Sequence, residues 1–253
     1  MRTDEARAVV TGAARGLGRH FALSLARAGA RVVAGDVNGA GLRALKAEAA
    51  ALPGALTVAV VDVASEPSVG DFVALADREL GGINVLVNNA GVLRDGLLVT
   101  WEQGAARKLP LAQWQRVLDV NLTGPFLMAR EVAAGMIEKG TRGVIVNISS
   151  LARTGNGGQS NYAASKAGLD ACTRTWALEL APHGIRVGGV APGVIDTPIL
   201  AGISGPALES LVGAIPVARI GAPDEVWQAV EFVLACDFFT GRTLEVDGGA
   251  RLG

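Results

Sequence analysis

Tyr162 and Lys166 stand four positions apart in a stretch, about 160–181, that reads as a helix, so their side chains share one face. An ammonium so placed stabilises a phenolate and moves a phenol from its ordinary value near 10 towards working pH. Tyr-x-x-x-Lys also arises by chance on exposed helices. Ser149 narrows the reading, because it ends the β-branched run GVIVNISS (143–150), at the carboxyl edge where open α/β sheets bind ligands. A proton donor and a hydroxyl meeting there could protonate a substrate oxygen and hold its developing charge.

A second group of residues could hold an anion. Thr11-Gly12-Ala13-Ala14-Arg15-Gly16-Leu17-Gly18 lies between a predicted strand and helix, where backbone N–H groups and a helix N-terminus would face a pyrophosphate. Three glycines in seven residues alone also describe a plain tight turn. Context favours a nucleotide, since Asp36 ends the next strand 18 residues after Gly18, where a carboxylate would accept from the adenosine ribose hydroxyls. That carboxylate would repel a 2′-phosphate, which selects NAD over NADP. Arg15 argues the other way if its guanidinium reaches a 2′-phosphate, and is otherwise a solvated turn residue. Asp62, after the third strand, reads equally as an adenine contact or as a favourable charge before a helix.

These residues require a frame of alternating strands and helices. Apolar runs beginning at Arg7 and at 30–36, 56–62, 83–89, 143–150, 185–192 and 243–249 predict seven strands, six followed by helices, among them one of about 111–138. Runs without polar alternation suit strands covered on both faces, hence a parallel sheet between helical layers. No linker, repeat or low-complexity tract divides residues 1–253, so one domain is expected. Two stretches break the rhythm, 92–110 and 193–216, and long irregular connections usually lie near ligands.

Composition removes other classes. With 23 basic and 24 acidic side chains, the chain has no positive excess for a nucleic acid. Its apolar stretches break before a membrane-spanning length, and MRTDEARAVV lacks the order of a secretory signal, so a cytoplasmic protein is expected. Cys172, Cys236, His20 and His183 form no local ligand motif, so no metal is expected. His20 and His183 read as surface or capping residues, and Cys172 as a small packing residue. The 34 glycines imply many tight turns and close backbone approaches.

The motifs Thr11-Gly12-x-x-x-Gly16-x-Gly18, Asn88-Asn89-Ala90-Gly91, Ser149 and Tyr162-x-x-x-Lys166 occur in order, with 13 residues from Ser149 to Tyr162 and Pro192-Gly193 after the sixth strand. On these the chain strongly resembles the short-chain dehydrogenase/reductase family, from about Ala6 to Gly249. The resemblance implies a three-layer, doubly wound Rossmann fold with a seven-stranded parallel sheet. It implies that Tyr162 is general acid or base, Ser149 holds the substrate oxygen and Lys166 binds the nicotinamide ribose. Asn121 matches a fourth catalytic position whose backbone helps hold a relay water, its other reading being a helix-kink or capping Asn. Asn88, Ala90 and Gly91 match cofactor-lining positions, with Asn89 bracing the sheet. Thr197 matches a residue bonding the carboxamide, and Val63 and Ile195 match adenine and nicotinamide contacts.

Resemblance is strongest to 3-oxoacyl-acyl-carrier-protein reductase-like and 3-hydroxyacyl-CoA dehydrogenase-like members, through RDGLL (94–98), DVNLTGPFL (119–127) and TLEVDGG (243–249). Two departures qualify this: 100–110 reads as an insertion, and Asp36 is atypical of NADPH-using biosynthetic reductases. The apolar stretch 193–216, with Ile199, Leu200, Ile203, Leu208, Leu211 and Val212, suits a hydrophobic or acyl small-molecule substrate. Arg94 and Arg107 could meet a carrier phosphate or are solvated loop residues. Family members pair through the helices at 111–138 and 160–181, which implies a homotetramer. The leading expectation is an NAD(H)-dependent interconversion of a secondary alcohol and a ketone on an acyl thioester. A cyclic or steroid-like alcohol is the alternative substrate, and a non-redox enzyme or a nucleotide-sensing scaffold the alternatives of another class.

Overall fold

The computed structural model describes residues 1–198, 200 and 205–250, without the side chains of 206 and 207. The first half alternates strictly: β1 (Arg7–Thr11), α1 (Gly16–Arg27), β2 (Arg31–Asp36), α2 (Gly39–Ala49), β3 (Ala55–Val60), α3 (Glu66–Leu80) and β4 (Val85–Asn88). Local signals set the ends. Ser65 caps α3 by accepting from Ser68 N, and Gly81 ends it in the left-handed conformation at φ 66°. Then come β5 (Val99–Glu102), β6 (Ala105–Lys108), α4 (Leu111–Leu118), α5 (Gly124–Glu138), β7 (Gly143–Ile148), α6 (Ser160–Leu180), β8 (Ile185–Pro192), α7 (Gly205–Gly213), α8 (Pro223–Ala235) and β9 (Thr243–Val246).

Seven strands form one parallel sheet in the order β3-β2-β1-β4-β7-β8-β9. The order reverses between β1 and β4, which opens a crevice at their carboxyl ends. Successive side chains leave opposite faces, and both faces are covered. Val10 and Val32 meet Phe21, Leu42 and Val230 on one side, while Val9 and Val33 meet Phe72, Leu127 and Met128 on the other. That is why these strands read as continuous apolar runs.

The structure corrects the sequence reading in four places. The third strand ends at Val60 rather than 62, because Asp62 already turns towards α3. The helix of 111–138 is two helices joined by a wide π turn, Asp119–Thr123. The irregular stretch 92–110 contains the antiparallel hairpin β5–β6, whose turn residues Gln103 and Gly104 both have positive φ, 51° and 80°. The stretch 193–216 contains α7, while Ile199 and Ile203 lie outside the described residues.

Candidate active site

The glycine turn is shaped by exclusion. A Cβ on Gly18 would stand 2.3 Å from Gly12 O, and one on Gly12, at φ +66°, 2.7 Å from Ala90 Cα. Gly16 also has positive φ, 56°, and the nearest atom to a Cβ there would be Thr197 Cβ at 4.0 Å. Thr11 Oγ1 accepts from the backbone N–H groups of Asn89 and Ala90, both at 3.1 Å, and Asn89 Nδ2 donates to Thr11 O and Gly12 O. Arg15, exposed at the N-cap of α1, makes no side-chain cap, and Leu17 packs partly against the core behind the turn. The first N–H groups of α1 are therefore available to an anion.

Asp36 reaches this turn directly. Its Oδ2 accepts from Ala14 N at 3.0 Å and its Oδ1 from Asn38 N at 2.9 Å, so each oxygen keeps a free lone pair. The arrangement fits a nicotinamide dinucleotide: a cradle that a Cβ would fill, an uncapped helix and a carboxylate beside them. On the far side Pro192 ends β8, and Gly193, held by Val246 O at 2.9 Å, admits no Cβ against Asp247 Cα. Ile195 is buried in a bridge to Gly221, and Thr197, partly exposed, faces Gly16.

Asn88 is buried inside the sheet, where its Nδ2 donates to Asn147 Oδ1 at 3.0 Å and to Pro125 O, so its side chain is an internal brace rather than a cofactor contact. The reason is strand alternation at the end of β4, which turns Asn88 inward and frees Asn89 to brace the glycine turn. Gly91 lies against Asn121, 3.5 Å from its Oδ1 to a Cβ built at Gly91. Asp62 Oδ1 accepts from Ala64 N at 3.0 Å, a turn bond that neither of its two sequence readings included. Val63 is buried against Gly124.

The predicted acid-base residue Tyr162 and its neighbour Lys166 lie in the first two turns of α6. Lys166 is buried, with Nζ donating to Ile148 O at 2.7 Å and standing 5.7 Å from the Tyr162 ring centroid. Burial pulls its ammonium down to about 8, against the opposing charge of Asp170. The Tyr162 phenol is displaced upward, not towards neutrality as the four-residue spacing implies. Burial is the main cause, a hydrogen bond with Ser150 works downward, and the charge of Asp95 adds to the rise.

Ser150 acts on the phenol and also caps the 3-10 turn Leu151–Thr154, its Oγ accepting from Ala152 N at 3.1 Å. Ser149 extends the ladder of β7 through its N–H to Val190 O at 2.7 Å, and its hydroxyl turns to the Lys166 carbonyl at 3.4 Å. Asn121, at the π turn, is wholly buried and accepts from Val92 N at 2.8 Å and donates to Val92 O at 3.0 Å. Its side chain thus fixes the strap 92–96 while the wide turn loosens the regular helical ladder at its backbone. The strap is also held by Gln113 Nε2 on the Arg94 and Asp95 carbonyls and by Asn161 Nδ2 on Arg94 O. Gly96 N donates to Gly158 O at 2.8 Å, and Gln159 donates to both Asp95 oxygens.

After the serines, Leu151 packs with Ile215, Ala250 and Leu211 of α7, which joins the candidate substrate stretch to the 3-10 turn. Cys172 is half-buried, and burial raises its thiol, which leaves it a poor nucleophile. His20 pairs with Asp224 on the surface of α1. Among the described residues no cluster could hold a metal ion, and no helix is long and apolar enough to cross a membrane.

A family model described as Enoyl-(Acyl carrier protein) reductase matches residues 12–251. A 3-oxoacyl-(acyl-carrier-protein) reductase of Thermotoga maritima is 40% identical over 252 residues, covering 98% of this chain and 99% of that one. A (3R)-3-hydroxyacyl-CoA dehydrogenase of Canis lupus familiaris is 37% identical, covering 98% and 97%. The crystal structure of a short-chain type dehydrogenase/reductase from Mycobacterium marinum superposes with a TM-score of 0.89 at 32% identity, covering 96% of this chain and 94% of that one. With the glycine cradle and the Tyr162 and Lys166 pair in place, these likenesses show that the chain belongs to the short-chain dehydrogenase/reductase family, and that it is an oxidoreductase working with a nicotinamide cofactor.

Proposed function

We propose that the protein interconverts a 3-oxoacyl thioester and its 3-hydroxyacyl form, with NAD(H) as the cofactor. The observation that carries this is the buried Lys166 ammonium 5.7 Å from the Tyr162 ring, with the Ser149 hydroxyl on the Lys166 carbonyl beside them at the carboxyl end of β7, in a chain whose relatives are named for 3-oxoacyl and 3-hydroxyacyl thioesters. The bound cofactor supplies or accepts a hydride at the carbonyl carbon. Tyr162 gives a proton to the carbonyl oxygen in reduction and takes it back in oxidation. Ser149 donates a hydrogen bond to that oxygen and lowers the energy of the charge it gathers. Lys166 holds the nicotinamide ribose, while Gly12, Gly16, Leu17 and Gly18 give the pyrophosphate its backbone cradle, with Arg15 at the rim. Ala90, Gly91, Pro192, Gly193, Ile195 and Thr197 enclose the remainder of the cofactor. Asp36 selects NAD, because its carboxylate accepts ribose hydroxyls and repels a 2′-phosphate.

Self-association as a homotetramer is part of the same reading. On the α5 and α6 face, Phe126 is 43% and Leu178 80% exposed, Ala164, Ala167 and Ala171 are exposed, and Leu122, Thr123, Phe126, Gly168 and Cys172 line a shallow hollow of about 290 Å³. Small residues there permit close helix approach. Two free cysteines fit a reducing compartment such as the cytoplasm.

The test is absorbance at 340 nm with purified protein, acetoacetyl-CoA and either NADH or NADPH. Faster turnover with NADH is expected. A flat trace with both, while NADH binding is shown by tryptophan quenching, would overturn the thioester reading and point to cyclic or steroid-like alcohols. Faster turnover with NADPH would overturn the role of Asp36. Light scattering on an eluting column reads the assembly, and a monomer mass would overturn the tetramer.

A further inference from the structure

Behind the acid-base group lies a buried charge pair with no part in the steps above. Arg153 sits in the 3-10 turn Leu151–Thr154 that follows Ser150, and Asp170 lies on α6 one helical turn beyond Lys166. Both side chains are 11% exposed, and Arg153 Nε donates to Asp170 Oδ2 at 2.7 Å. The same guanidinium donates to the Ser150 carbonyl at 3.2 Å and pairs with Glu245 on β9. The other Asp170 oxygen accepts from Thr243 Oγ1 at 3.1 Å. One arginine thus joins the serine turn, the helix of Tyr162 and Lys166, and the last strand.

Stability alone is a weak reason for such a pair, since desolvation largely cancels the attraction of buried charges. Its neighbour suggests a better one. Lys166 and Asp170 are four residues apart on one helix, the spacing at which an ammonium and a carboxylate pair. They make no such pair here: Asp170 is taken by Arg153, and Lys166 Nζ points to Ile148 O at 2.7 Å.

We infer that Arg153 is a positioning residue: it ties the Ser150 turn to α6 and, by occupying Asp170, keeps that carboxylate from locking Lys166 into a fixed ion pair, leaving the ammonium for the cofactor ribose. The inference rests on the proposed role of Lys166. The charges around the ammonium have a definite order: Asp170 on its own helix, Arg153 behind Asp170 from the serine turn, and Glu245 behind Arg153 from β9. Burial lowers Lys166 to about 8 and Asp170 acts against it, so removing Arg153 strengthens the upward pull and removing Asp170 abolishes it.

The experiment measures the dissociation constant of NADH by tryptophan quenching, from about pH 7 to 9.5. In the native protein affinity should weaken above about pH 8, as the ammonium loses its proton. Arg153→Gln should move that midpoint up and Asp170→Asn should move it down, each by on the order of half a pH unit, and the double variant should return towards the native midpoint. Arg153→Lys, which keeps the charge without the fork, should hold the midpoint and lower kcat through the loosened serine turn. A merely structural pair would lower melting temperatures and leave every midpoint in place. Unmoved midpoints, or shifts of one sign in both single variants, would overturn the inference. Should Arg153→Gln fail to fold, Asp170→Asn and Arg153→Lys carry the test. No NADH binding by the native protein would overturn the reading of Lys166 itself, and this inference with it.

Discussion

The glycine turn and the β5–β6 hairpin belong to the same carboxyl edge of the sheet, and they are built in opposite ways. The turn is specified by backbone: Gly12 and Gly18 admit no Cβ, and Thr11 and Asn89 tie it to β4. The hairpin is specified by its own four-residue strands and stands clear of the body, with Trp101 76% exposed. It joins the molecule at its base, through Leu109 N on Leu98 O and the strap bonds of Gly96 and Gln113. The glycine turn thus leaves no room for a side chain at Gly12 or Gly18, whereas the hairpin can vary without touching it.

The largest expected effect falls between the two regions. Tyr162→Phe removes the only tyrosine of the chain and should lower turnover by about 10²–10⁴-fold, with the dissociation constant of NADH changed little. Turnover near the native rate would remove the tyrosine from the chemistry and break the division of labour. Ser149→Ala should lower kcat by about 10²–10³-fold, while Ser150→Ala stays within a few-fold. The reverse order would move the oxygen-holding role to Ser150. Gly18→Ala presses a methyl against Gly12 O and should weaken both folding and NADH binding by about 1–3 kcal/mol, read by thermal melting and by titration. Smallest of all, Trp101→Thr should leave the NADH constant unchanged and the melting temperature within about 2 °C, since the side chain is largely in solvent. A larger loss would show the hairpin to be part of the body.

Much of this was legible. Seven apolar runs marked the seven strands, because both faces of the sheet are buried, and the glycine spacing with Asp36 marked the cradle. The hairpin was also written in the alternation of Val99-Thr100-Trp101-Glu102 around Gln103-Gly104, but read as an insertion its pairing went unnoticed. Asn88 shows a different limit: the end of β4 turns its side chain into the sheet, where it bonds Asn147, while Asn89 braces the glycine turn. The direction of the Lys166 ammonium was beyond reach, since its partner is a main-chain carbonyl, and every residue carries one.

The hairpin has one more consequence. A two-stranded sheet leaves an open edge on each strand, with unpaired N–H and C=O groups that could recruit a strand from another molecule. Here the hazard is contained by composition and length: each strand is four residues long, and Glu102, Arg107 and Lys108 place charges along the two edges. The chain can therefore extend an arm into solvent beside its active site without making that arm a seed for aggregation.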